Sequence, residues 1–511
     1  MRPAASAALL LLPLLSSCAP GSALSPVHEG RWLELSSTHV VLQTDLPEDE
    51  ARASISAMED GVDQLAQVAF PSLRHGRVPF TVVLISADRE FRDLVGYGED
   101  AFFTTGSRLD LEPGPMVVMH AHDYRYGLVD KRSVYLHELT HVGVASDLPG
   151  APVWLNEGLA RYFETLTVDG AYAVMGESQL ASFVQPGITP DAHWLLAADR
   201  KAFYGSGIAD GSLRAEHERR TYSGAWALVH MLRNGPEPYR LRFDAFVRAM
   251  HRMRRWRQAW DEAFAGISDE ALDADFRQYM TAFSWDLYRK PLAPSPPQPP
   301  AAARPMGDAE VHVLRARLMR GPLDRANAEI EQAARAGAPS ADIAYWRGAV
   351  ALSARDWGAA ARWFEAMLHE SPDDPRALHG LATTLARRNA GARPDAASAE
   401  ALDRVLARLE TRAVSGPQKV MVARWQAWRR RLPEALATVE QALAVTPDAV
   451  DALAARAEIR ERMASYDAAE EDAERALSLL PDDASSDGLV SLIARIRSDR
   501  AATAIPARPA Q

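Results

Sequence analysis

From about residue 307 the chain turns to Ala, Arg, Glu and Leu at helical spacing, and it repeats itself with a period of 34 residues. Asp356-Trp357-Gly358-Ala359-Ala360, with Leu368 and Pro372, aligns with Leu432, Ala435, Ala442 and Pro447, and again with Tyr466, Ala469, Ala476 and Pro481. One repeat separates Pro447 from Pro481. Two separate Pro372 from Pro447, one of them lengthened by the Ala-rich stretch near Asn389–Ala397. A unit this short cannot bury its own apolar face, so neighbouring units must stack into an elongated all-α array. The small aligned residues let paired helices approach closely, and the proline ends each unit. The first unit, 307–340, is degenerate, which gives four to five repeats over 307–484. A terminal helix and a tail of Ala, Pro and Gln, expected to be disordered, fill 485–511.

The repeat region begins after a sharp compositional break. Lys290-Pro291 to Pro305 contains Pro-Ser-Pro-Pro-Gln-Pro-Pro, which favours polyproline II, so 291–306 reads as a semi-rigid linker. Before it, residues 30–128 read as α/β. Strands are expected at Trp32–Leu35, His39–Thr44, Phe80–Ile85 and Met116–Met119, with helices over Glu48–Phe70 and Asp88–Val95. Residues 165–290 read as mostly helical. With 57 Lys and Arg against 68 Asp and Glu the net charge is −11, which leaves no basic domain for nucleic acid.

Between these parts lies Ser133-Val134-Tyr135-Leu136-His137-Glu138-Leu139-Thr140-His141-Val142-Gly143, an H-E-x-x-H pattern with apolar neighbours. On a helix, His137 and His141 share one face, one turn apart, and two neutral imidazoles so placed hold one Zn²⁺ at roughly 2.0–2.1 Å each. Glu138 points to the side, placed to take a proton from water rather than to ligate. Asp147-Leu148-Pro149-Gly150 breaks this helix, and Pro152 starts a second whose opening turn carries Glu157, sixteen residues after His141. Two His and one Glu with a position left open is a catalytic rather than a structural zinc set. Gly158 has one evident reason in a helix, the close approach of another backbone. Asp147, six residues after His141, competes as third ligand, but Val144 stands where that alternative needs a Gly, so Asp147 reads as a helix-end carboxylate. His120 and His122 read as loop residues rather than a second metal pair.

His137-Glu-Leu-Thr-His141 followed by Trp154-Leu-Asn-Glu-Gly-Leu-Ala-Arg-Tyr-Phe-Glu164 resembles the gluzincin metallopeptidases of clan MA, above all the bacterial peptidase MA-like families, over roughly residues 115–235. The resemblance implies an α+β zincin-like domain over 19–290, with His137, His141 and Glu157 as zinc ligands and Glu138 as general base. It also implies that the strand at Met116–Met119 is the sheet edge that pairs with extended substrate. Gly114-Pro115-Met116-Val117-Val118-Met119-His120 lacks the glutamate that holds a free amino terminus in the related zinc aminopeptidases, which points to endopeptidase activity. Members of these families carry a tyrosine at the start of a downstream helix. Tyr222, in Arg219-Arg220-Thr221-Tyr222-Ser223-Gly224, is either that oxyanion donor or a helix-start packing residue. His230, eight residues on, reads as a half-buried histidine. The 34-residue period resembles tetratricopeptide repeats, which implies a concave surface for peptide segments or partner proteins.

The N-terminus reads as a leader over 1–18. Arg2 is followed by an apolar run, Leu9 to Leu15, too short to span a bilayer, and then by Leu15-Ser16-Ser17-Cys18, which resembles a bacterial lipobox. Cys18, the single cysteine, would carry the lipid, and Ala19 after it favours the outer membrane, facing the periplasm. The reading is therefore a lipid-anchored zinc endopeptidase of the cell envelope, one Zn²⁺ per chain, with repeats that recruit a protein substrate or partner. Its rival is a zinc-binding, non-catalytic scaffold acting through the repeats, which the intact Glu138 disfavours. Hydrolysis of a non-peptide amide would use the same chemistry.

Overall fold

The computed structural model describes residues 32–75, 79–96, 101–104, 106–112, 114–121, 131–177, 184–185, 187–251, 255–281, 286–295, 297–388, 396–480 and 486–504. The leader and lipobox with Cys18, together with His122, Pro481 and the last seven residues, lie outside them.

The chain opens with a hairpin, β1 (Leu33–Ser36) and β2 (Val40–Thr44), followed by α1 (Glu48–Val68) and the single turn α2 (Ser72–His75). The β-branched run β3 (Phe80–Ile85) leads through α3 (Asp88–Val95) to β4 (Ala101–Thr104) and β5 (Met116–His120). Strands β2, β3 and β5 run parallel, and β4 lies antiparallel to β5 at the edge of the sheet. The expected edge strand, β5, is thus interior. The four-residue β4 between turn-rich stretches is too short to read from alternation, and it takes the edge.

On one side of this sheet lie α4 (Lys131–Asp147) and α5 (Val153–Phe163), the two helices of the H-E-x-x-H and Asn-Glu stretches. A short hairpin, β6 (Thr167–Asp169) and β7 (Tyr172–Met175), departs from the helical reading of this region. The helices α6 (Ala192–Ala197), α7 (Arg200–Phe203), α8 (Gly211–Asn234), α9 (Glu237–His251), α10 (Trp256–Ala263) and α11 (Asp269–Met280) follow. Gly143 of α4 meets Phe70 and Gly61 of α1 meets Tyr135, so α4 packs close under the sheet helices.

The proline-rich segment is not a free spacer. Its two ends form strands: β8 (Tyr288–Pro291) pairs with β7, and β9 (Ala302–Pro305) pairs antiparallel with β1, Ser36 opposite Ala302 and Leu33 opposite Pro305. Pro305 closes an edge strand, where its missing N–H costs least, and Met306 N–H at once donates to the Trp32 carbonyl at 2.9 Å.

Five helix pairs and a closing helix follow among the described residues: α12 (Asp308–Leu318) with α13 (Leu323–Arg335), α14 (Ser340–Ser353) with α15 (Trp357–Glu370), α16 (Pro375–Arg388) with α17 (Ala396–Glu410), α18 (Gly416–Trp428) with α19 (Leu432–Val445), α20 (Val450–Arg462) with α21 (Tyr466–Ser478), and α22 (Asp487–Ala504). Each helix packs on its pair mate, and the second helix of each pair packs on the next pair or the closing helix, which makes this half an all-α solenoid. Arg355, Arg430 and Ala464 sit at φ 60°, 62° and 58° at the same point of three inter-helix turns, a backbone mark of the repeat. The small residues do what their positions predict: a Cβ on Gly348 or Gly380 would meet the Phe364 ring at 2.8 and 2.5 Å.

The solenoid docks on the sheet through α12. Met306, Val311, Leu314 and Leu318 join Trp32, Phe91, Leu94 and Met116 in one apolar cluster. Inside this interface Arg315, 1% exposed, bridges Glu90 of α3 and Glu329 of α13, each at 3.0 Å. His312 Nδ1 lies 2.6 Å from the other Glu329 oxygen. Arg315→Leu removes the cation that two buried carboxylates share, and is expected to cost about 3–5 kcal/mol. A urea titration of the full chain should show the midpoint falling accordingly.

Candidate metal centre

On α4 the His137 and His141 rings stand 4.9 Å apart, edge to face at 87°. Glu157, in the first turns of α5, brings its Oε2 to 3.6 Å from His137 Nε2 and 3.7 Å from His141 Nε2. One ligand atom from each of the three lies within 4.8 Å of the others. Donors held tetrahedrally around one Zn²⁺ at roughly 2.0–2.1 Å stand about 3.3–3.4 Å from one another, close to this spacing.

The other ring nitrogens are held from behind. His137 Nδ1 lies 3.2 Å from Glu164 Oε2, and His141 Nδ1 lies 3.0 Å from Asn156 Oδ1. With these nitrogens as donors, both Nε2 lone pairs turn toward Glu157, the arrangement that orients metal-binding imidazoles. Tyr204 donates its O–H to Glu157 Oε1 at 2.6 Å. Glu157 Oε2 is buried with no hydrogen-bond partner among the described residues. That orphaned oxygen, aimed at two imidazole nitrogens too far off to hydrogen-bond, fits a cation and is poorly served by anything else in the described chain.

The electrostatics agree with this donor set. Burial raises the Glu157 carboxyl, but the charges of His141 and His137 and the hydrogen bond from Tyr204 outweigh it and bring it down to about 2. Burial and Arg161 lower His137, yet Glu157 and Glu164 raise it to about 9. Glu138 is buried, and its Oε2 is also without a partner among the described residues. Burial raises its pKa against the pull of His141 and His137, with Glu157 adding to the rise.

Tyr222 lies near this group but in the middle of α8, not at a helix start. Asp210 caps that helix by accepting from the N–H of Ser212 and Leu213, so α8 begins well upstream. The Tyr222 ring lies under the Arg161 guanidinium at 4.9 Å, and its phenol is pushed well above the usual range by burial and by Glu157, against Arg161. Arg161 in turn donates to Glu164 at 2.9 Å. Asp147 stands apart, accepting from the N–H and O–H of Ser72 at 3.2 and 2.7 Å. His230 is fully buried rather than half-buried, its Nδ1 2.8 Å from the Tyr279 hydroxyl, and burial lowers it to about 4.

Tyr204 is not evident from sequence, because it comes from the turn after α7, with no motif around it. Glu164, by contrast, lies two turns after Glu157 on the same helix face, a spacing that could have marked it. Asp191, His193 and Asp273 form another cluster with ligand atoms within 4.8 Å, but His193 is paired with Asp273 and Arg277 donates to Asp191 at 2.9 Å. A cation's place there is already taken.

Gly158 is what allows Glu157 to sit where it does. A Cβ there would stand 2.6 Å from the Ala225 carbonyl oxygen and from a Val229 methyl of α8.

No protein-family model matches this chain, and no curated protein matches it. Solved structures do. A thermophilic TPR protein of Thermus thermophilus is 19% identical, with 38% of this chain and 94% of that one covered, at a TM-score of 0.28. YrrB, described as a TPR protein with an unusual peptide-binding site, is 18% identical over 38% of this chain and 93% of its own, at 0.28. The TPR domain of P58(IPK) is 14% identical over 73% and 95%, at 0.22. At these scores the all-α solenoid rests on the helix pairs themselves, not on the likeness.

Gly158→Ala forces α5 away from α8, an overpacking expected to cost about 1–3 kcal/mol. Thermal unfolding of the variant beside the wild type checks this, and a change at Gly416, where a Cβ would meet open space, provides the neutral control.

Proposed function

We propose that the first half of the chain is a zinc-dependent peptidase, an α+β domain of zincin type, and that the solenoid handles protein partners or substrates. The observation that carries this is the orphaned Glu157 Oε2 facing the Nε2 atoms of His137 and His141. These three residues would hold one Zn²⁺, which when bound supplies Lewis acidity toward a scissile carbonyl and lowers the pKa of water toward neutrality. Glu138, buried and raised, takes the proton of the attacking water and passes it to the leaving amine. Tyr222, kept protonated, donates to the oxyanion as it develops. Glu164 and Asn156 hold the imidazoles in one tautomer, and the edge strand β4 offers backbone groups to an extended peptide. A non-catalytic scaffold would leave the buried Glu138 with nothing to do and a desolvation cost to bear.

Acylation at Cys18 would anchor the protein at the envelope, with an outer-membrane, periplasm-facing location as the corresponding proposal. Metal uptake by these residues should also carry a pH signature. Because His137 is raised to about 9, zinc entering near neutral pH must displace that proton. The apparent affinity is therefore expected to rise about tenfold per pH unit below pH 9 and to flatten above it. Competition with a chelator of known affinity at several pH values measures this.

The decisive experiment is metal content by mass spectrometry on protein lacking residues 1–18. The wild type should carry near one zinc per chain and Glu157→Ala much less; no zinc in either would end the enzyme reading. Glu138→Ala should keep the metal and lose peptide hydrolysis. Tyr222→Phe should keep the metal and lower kcat by about 10²–10³ if the phenol serves the oxyanion.

A further inference from the structure

The segment that follows the edge strand β4 does not lie on the surface of its own domain. Gly106 to Glu112 runs into the solenoid, and most of the residues that receive it come from α12, α14, α16 and α18, the first helices of four successive pairs. Arg317 of α12 donates through Nε and Nη2 to the two carboxylate oxygens of Asp110, at 2.9 and 3.3 Å. Leu109 is 1% exposed, packed with Ala316 of α12 and Val350 of α14, with Ile330 of α13 behind them in the same cluster. Leu111 packs against the next cluster, which holds Tyr345, Leu378 and Val422. Gln418 of α18 donates to Glu112 Oε1 at 2.5 Å, and His379 of α16 faces the same oxygen at 3.6 Å. Burial raises the Glu112 carboxyl, but the charge of His379 and hydrogen bonds from Ser415 and Gln418 hold it below the usual range.

This is how a repeat array receives a peptide: alternating apolar and acidic side chains of one segment are read by one face of consecutive repeats. Here Leu109-Asp110-Leu111-Glu112 is the ligand, and it belongs to the chain itself. We infer that the face of the solenoid formed by α12, α14, α16 and α18 is a peptide-recognition groove occupied in cis by residues 107–112, and that a protein segment with the same Leu-acid-Leu-acid pattern competes for it.

The competition would be felt at β4. Thr104, its last residue, is tied to the segment: the Thr104 hydroxyl donates to the Gly106 carbonyl at 2.8 Å, and Gly106 N–H returns to Thr104 Oγ1 at 3.3 Å. The turn is closed by Ser107 N–H on Asp110 Oδ2 at 2.8 Å, so Asp110 is shared between the segment's own shape and Arg317. A partner that takes Arg317 and Gln418 removes what holds the segment, and the edge strand loses its anchor. The inference concerns the groove alone and stands whether or not the metal centre is catalytic.

The test uses the full chain and a fluorescein-labelled peptide with the sequence of residues 106–114. Asp110→Ala with Glu112→Ala weakens the cis ligand and opens the groove, so this variant should bind the peptide at least ten-fold more tightly than the wild type. Adding Arg317→Ala and Gln418→Ala should abolish the gain. Equal binding to all three proteins, or binding to none, overturns the inference. Should the first variant not fold, hydrogen exchange on the wild type decides the matter. Excess unlabelled peptide should speed exchange over residues 101–112 while α4 and α5 stay protected, and unchanged exchange there overturns the proposal.

Discussion

The centre of the molecule depends on how closely α5 lies against α8. Gly158 lets the two backbones meet, with the Ala225 carbonyl where a side chain would otherwise begin. The neighbouring residue, Glu157, is carried by that contact to the histidines of α4, and the same contact brings Tyr222 of α8 beside Arg161 of α5. A helix pair held apart by even a methyl group would leave Glu157 further from both imidazoles. Close packing thus does the work of positioning, and the charges then have to be reconciled with burial.

They are reconciled in a particular order. Arg161 answers Glu164, Glu164 answers His137 Nδ1, Asn156 answers His141 Nδ1, and Tyr204 answers one oxygen of Glu157. What remains is a second Glu157 oxygen and two imidazole nitrogens, all directed at one point. Burying a carboxylate costs several kcal/mol, and for Glu157 that cost is offset by Tyr204 and by the charges of His137 and His141. On the proposed reading, one small cation completes this group. Glu138 is the other carboxylate of this group with an oxygen left over among the described residues, and it stands beside the same point.

How much of this can be read from residues alone varies with the kind of signal. His137, His141 and Glu157 are legible because a helix converts sequence spacing into a shared face, and Gly158 because a glycine inside a helix needs a reason. The β3 and α3 boundaries are legible because β-branched runs and helical periodicity are local. The position of Tyr222 within its helix is not: the capping Asp210 lies twelve residues earlier and carries no apolar pattern to announce it. The edge strand escapes the sequence because sheet order is set by pairing partners far apart in the chain, and four residues of β4 hold too little alternation to show. Proline content points to a spacer at 291–306. Which part of such a segment finds a free strand edge, as 302–305 does on β1, depends on tertiary geometry that composition does not encode.

The same strand changes what the solenoid is to the rest of the chain. A six-stranded sheet has two edges, each with unpaired backbone groups that invite association. One edge is β9, which lies on β1 and leads directly into the first repeat. At the other, β4 has no further strand beside it among the described residues, but the segment that leaves it is held by four successive repeats. The solenoid also returns to α4 and α5, since Gly150, in the turn between them at φ 77°, lies against the Ser478 carbonyl at the end of α21. The repeats therefore touch the sheet at both edges and the helix turn that separates His141 from Glu157. An array with so many attachments acts as part of the domain that carries the candidate site. Of the two strands that end the sheet, β4 is the one that packs against α4, the helix of His137 and His141, and on the proposed reading its open edge is where an extended peptide would bind.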